Sequence, residues 1–91
     1  GQQVHWVPKD MLPAQGLPWI KNGDIIAITT NTPGLDISHL GIAIYIKDQL
    51  HLLHAPSKQK KVVVEKLALS RQLAGNKTWT GIRVLRMKSL N

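Results

Sequence analysis

Three apolar runs separated by two turns constrain residues 24–55 to extended chain. Asp24–Thr30 is β-branched and apolar, the composition of a buried strand. Asn31-Thr32-Pro33-Gly34 is a turn by composition, and Asp36–Ser38 continues the loop. His39–Lys47 then reads as a second strand. Its Leu40, Ile42, Ile44 and Ile46 share one face; His39, Gly41, Ala43 and Tyr45 share the other. The Leu/Ile face is expected to enter the core. The small residues at 41 and 43 are expected to leave room on the His39 face for another backbone or a ligand. Asp48-Gln49 makes a tight turn, and Leu50–Ala55 returns as the hairpin partner, ended by Pro56 and Ser57.

The flanks are less regular. Pro8, Pro13, Pro18 and Gly16 make residues 1–22 an extended N-terminal segment with turns. Val4–Val7 fits a short edge strand, and Lys9–Leu12 fits one helical turn after Pro8. Residues 23–91 form the β-rich part. Lys61–Lys66 is a fourth strand centred on Val62-Val63-Val64, and Leu67–Ala74 is a short helix closed by Gly75. Gly81–Met87 is the last strand. The expected class is α+β: a curled antiparallel sheet or small barrel with one or two short helices.

Ninety-one residues make one small domain or a piece of one, burying only roughly two thirds of the unfolded surface. The chain opens on Gly1, and its first twenty residues lack strong periodicity, so a fragment of a longer protein is expected. With no cysteine there is no disulfide and no thiolate metal site. No apolar run approaches the ~18 residues of a membrane span. The formal charge of +7 is uneven: nine Lys or Arg stand against Glu65 alone in residues 58–91, whereas residues 1–57 hold three Lys against four Asp. Such a basic end attracts polyanions, among them nucleic acid, anionic lipid and anionic wall polymer; a solvated basic face with no partner is the plainer reading.

Two His-centred segments carry the chemistry, Ser38-His39-Leu40-Gly41-Ile42 and His51-Leu52-Leu53-His54-Ala55-Pro56-Ser57. Imidazole changes charge near neutral pH, which suits a general base for a thiol or hydroxyl. His39 starts a strand after a loop, so its ring is expected at the sheet rim. With the turn at 48–49, paired residue numbers sum to about 97 and His54 falls opposite Ala43. A small change of register brings it nearer His39, where a second ring could orient the first. His51 and His54 form H-x-x-H, but residues three apart on a strand face opposite sides, so no metal site is expected. Ser38 and Ser57 read as loop hydroxyls, with no nucleophile elbow around either. Asp24 at a strand entry reads as a partner of turn amides. Trp6, Trp19 and Trp79 read as partly buried core, or as the lining of a sugar or peptide groove.

The ordered set Gly23-Asp24-Ile25-Ile26, His39-Leu40-Gly41-Ile42 with Tyr45-Ile46, Leu53-His54-Ala55, Val62-Val63-Val64 and Gly81-Ile82-Arg83-Val84 resembles the C-terminal half of NlpC-type cell-wall cysteine peptidases. Within that papain-like superfamily it most resembles a bacterial amidase-like family of poorly defined function. The resemblance implies the β half of a papain-like α+β fold; no cofactor is expected. It implies hydrolysis of peptide or amide bonds in peptidoglycan, in the bacterial envelope, periplasm or outside the cell. His39 matches the base and His54 its orienter. The family's Cys lies upstream on a helix that this chain lacks. Either the N-terminal part has been removed or this is a degenerate homologue; removal is the preferred expectation, giving a chain inactive alone and partnered by a missing N-terminal portion of the same protein. An apolar patch should be exposed where that portion packed, with self-association as a consequence.

Two other classes remain open: a non-catalytic wall-binding β-domain and a basic polyanion-binding module. Nucleic acid is the less favoured partner, because only Trp79 is interleaved with the basic C-terminal residues.

Overall fold

The computed structural model describes residues 2–54 and 61–87. The elements are β1 (Gln2–Pro8), a 3-10 turn (Lys9–Met11), β2 (Ile25–Thr30), β3 (Ile37–Ile46), β4 (Gln49–His54), β5 (Val63–Val64), α1 (Leu69–Ala74) and β6 (Trp79–Met87). The strands form one antiparallel sheet in the order β1-β6-β2-β3-β4-β5. The expected antiparallel sheet with one short helix is present. The barrel alternative is not: β1 and β5 are separate edges. The N-terminal strand belongs to the same sheet as the rest, paired along its length with β6.

One face of the sheet carries the core. Ile26 and Ile28 of β2 pair with Val84 and Ile82 of β6, and all four are buried. Leu69 and Leu73, one helical turn apart, press α1 onto this face beside Leu50 and Leu52 of β4. Leu12 and Ile20 close it from the N-terminal segment. Each such side chain contributes about 1.5–3 kcal/mol on full burial. Tyr45 fastens the same segment, its hydroxyl lying 2.8 Å from the Ile20 carbonyl and 3.0 Å from that of Leu17.

Two expectations are corrected. The first concerns which face of β3 is inside. Ile26 and Ile28 pair with Gly41 and His39, so the small-residue face of β3 is continuous with the core, and Ala43 is buried. Leu40 is 64 % exposed. Bulk comes from the neighbours: the Leu52 side chain lies over Gly41, filling the space expected for a ligand. The reverse face is left largely apolar and open, and Ile25, Leu40, Ile42, Leu53 and Val62 line a depression of about 400 Å³ there, which Gly41 and His54 also border.

The second correction is the hairpin register. The turn is Lys47-Asp48, both at positive φ (50° and 66°), the two-residue geometry that matches strand twist. Ile46 therefore pairs with Gln49 and Ile42 with Leu53. His54, one residue beyond that last pair, is carried two positions closer to His39 than a 48–49 turn would place it.

Candidate catalytic site

His39 lies on β3 opposite Ile28, where an irregularity between Ile28 and Thr29 shifts the β2–β3 register. Its ring is exposed. Trp79, at the start of β6, supports it from one side, with ring centroids 5.4 Å apart and planes at 87°. The Trp79 indole N–H donates to Ser38 Oγ at 3.1 Å, so the indole is held by the residue adjoining His39. The half-buried His54 approaches from β4, with centroids 6.3 Å apart and planes at 63°. The two rings are in edge contact on one face of the sheet.

Glu65 completes the cluster, and nothing in the sequence reading singled it out. Its backbone N–H donates to the Leu52 carbonyl at 2.9 Å. Its own carbonyl lies 2.8 Å from His51 Nδ1, which must donate there because a carbonyl only accepts. Its carboxylate Oε1 is hydrogen bonded to His54 Nε2. The H-x-x-H pair thus grips one residue by two groups, through a buried His51 on one side of β4 and His54 on the other. One signal was visible beforehand: Glu65 is the only acid in the basic C-terminal stretch. Trp79 and Ser38 were noted in sequence, but not as supports of His39. Ser57 and the basic residues Lys58 and Lys60 lie outside the described residues.

A second polar cluster sits away from His39. Asp24 is buried, accepting from the Lys21 backbone N–H at 2.9 Å and from Arg86 Nε at 2.8 Å. The Arg86 hydrogen bond holds the Asp24 carboxyl below the usual range against the opposing effect of burial. Arg86 also donates to the Trp19 carbonyl. His5, Trp6, Trp19, Val84 and Arg86 line a cleft of about 480 Å³, in which the His5 and Trp19 rings lie 5.1 Å apart. Trp6 and Trp19 are both exposed, rather than the partly buried core residues their size suggests.

Among the described residues no group of three or more His, Asp or Glu is disposed to hold a metal ion. No described helix is long and apolar enough to cross a membrane. The cluster is an exposed imidazole, a second imidazole beside it and a carboxylate behind, groups of the kinds that can carry a proton.

Similar solved structures share both sequence and shape. A candidate xylanase from Bacteroides fragilis is 73% identical with a TM-score of 0.86, over 91% of this chain and 36% of that one. An N-acetylmuramoyl-L-alanine amidase from Bacteroides uniformis ATCC 8492 is 66% identical with a TM-score of 0.86, over 93% and 36%. Protein LPG0564 from Legionella pneumophila is 35% identical with a TM-score of 0.55, over 74% and 25%. The chain spans about a third of the length of the first two. No curated protein matches it. Residues 1–82 match the AmiA-like family, described as N-acetylmuramoyl-L-alanine amidase-like, and the chain belongs to that family.

Proposed function

We propose that this chain is the histidine-bearing part of a cysteine amidase or peptidase acting on peptide or amide bonds of bacterial peptidoglycan. In this reading it is the β half of an NlpC-type, papain-like enzyme of the envelope or exterior. The observation that carries it is the exposed His39 ring in edge contact with His54 on one sheet face. Family membership supports the substrate class. His39 takes the proton of a cysteine thiol outside these 91 residues. The thiolate attacks the amide carbonyl, and His39 returns the proton to the departing amine. His54 orients the His39 ring. Water then hydrolyses the thioester. Glycoside hydrolysis is a poorer fit, since it uses a pair of facing carboxylates and this cluster offers only Glu65.

The apolar reverse face of the sheet is covered, on this reading, by the remainder of the same protein, consistent with relatives about two and a half times as long. The test is hydrolysis of muropeptides by the full-length protein. Activity is expected there and not in the 91-residue chain, and both Cys→Ala at the nucleophile and His39→Ala should abolish it. Full activity of His39→Ala sinks the assignment.

The cleft between Trp6 and Trp19 favours one second reading, a wall-binding β-domain. It requires that this chain alone sediment with insoluble peptidoglycan and that Trp19→Ala weaken the binding.

A further inference from the structure

We infer that Glu65 is a positioning residue, which fixes the His54 ring so that its second nitrogen is free to accept an N–H hydrogen bond from the direction of His39. The inference rests on the catalytic reading of His39 and His54. An ionised carboxylate only accepts, so the Glu65–His54 contact places a proton on His54 Nε2. In the neutral ring Nδ1 then carries the lone pair. That is the tautomer an orienter needs, since it must accept an N–H from the base, directly or through one water.

The carboxylate is itself held. The Glu65 backbone is tied to β4 on both its N–H and its carbonyl, to Leu52 and to His51 Nδ1. With both its backbone groups tied to β4, Glu65 starts its side chain from a fixed point beside His54, within reach of the imidazole. The arrangement also assigns a role to His51: it fastens the Glu65 carbonyl. His54 is thereby held from behind by Glu65, while Trp79, itself bonded to Ser38, contacts the His39 ring.

The experiment has two arms. The first is NMR of the imidazole N–H protons in this chain, at a pH where the rings are neutral. A slowly exchanging, downfield His54 Nε2–H is expected. It should move upfield in Glu65→Gln, where a neutral oxygen accepts, and vanish in Glu65→Ala. The His51 Nδ1–H, bonded to backbone, should persist in Glu65→Gln and reports that the local fold is intact. A His54 ring protonated only at Nδ1, or one whose signals ignore both substitutions, overturns the inference.

The second arm is muropeptide hydrolysis by the full-length protein. Glu65→Gln should lower kcat roughly tenfold, below the ~10²–10⁴ that general acid–base catalysis contributes. KM should stay within about twofold, and Glu65→Asp should restore part of kcat. Full kcat in Glu65→Gln, with His39→Ala inactive, overturns the role of Glu65 alone. Activity surviving His39→Ala overturns the catalytic reading and this role with it, while the His54 spectrum still reports the Glu65 hydrogen bond.

Discussion

The His39 ring meets the Trp79 ring edge-on, at 5.4 Å between centroids, although the two residues enter the sheet on different strands 40 positions apart in the chain. The indole limits the directions in which the imidazole can turn. It also packs against the core, so it couples the site to the stability of the fold. Trp79→Ala is expected to cost about 3 kcal/mol, at the lower end for a large aromatic because the ring is only partly buried. Trp79→Phe keeps an edge for His39 and loses the N–H bond to Ser38, costing about 1 kcal/mol. Urea denaturation of the two variants checks the order; equal losses would mean the ring itself does little.

Gly41 lies at the level of His54, two residues from His39 on β3, under the Leu52 side chain. A Cβ there would fall 2.9 Å from the Leu53 carbonyl and closer still to Leu52. Leu52 can turn aside but the backbone cannot. Gly41→Ala is therefore expected to destabilise by about 1–3 kcal/mol, through overpacking of a filled core. Leu52→Val, which shortens the obstructing side chain, should recover part of the loss when combined with it. Thermal unfolding of the single and double variants decides; strictly additive losses would show that Leu52 is not the obstacle.

Asp24 is held below its ordinary pKa chiefly by Arg86. A depressed carboxyl contributes stability that is complete above the unfolded-state value near pH 4 and is lost as pH falls through the lower folded value. Wild type should accordingly lose stability below about pH 4, more steeply than Asp24→Asn. The gap between the two melting curves should be widest at neutral pH and narrow in acid. Parallel curves between neutral and acid pH would remove Asp24 from the acid transition.

Much of this fold is legible in the sequence for a local reason. Strands β2, β3 and β4 are β-branched or alternating, and α1 has two Leu four apart followed by Gly75, so each element declares itself within a few residues. The buried face of β3 is not local information. Alternation marks two faces, and the more apolar one is open because the helix and N-terminal segment cover the face shared by Ile26 and Ile28. The register likewise turned on one residue of turn geometry at Lys47. His39 and His54 could be singled out because imidazoles are few and their segments are distinctive. Glu65 could not, since its role depends on a pairing between β4 and the short β5 region that no spacing encodes.

The open face has its own consequence. Leu40 and Val62 are each 64 % exposed beside the apolar depression on the reverse of the sheet. A patch of this kind, uncovered in the 91-residue chain, should pair with a second copy of itself in solution. Sedimentation velocity is expected to show concentration-dependent association, weaker in Leu40→Lys combined with Val62→Lys. Added charge alone could repel copies, so Met11→Lys is the control: Met11 is exposed on the 3-10 turn that packs with α1, on the core side of the sheet. It should leave association intact. On the proposed reading, in which further polypeptide covers the face, the full-length protein should show no such dependence. Monomeric behaviour of the isolated chain at high concentration would mean that this apolar surface tolerates water, and the proposed cover would lose its physical motive.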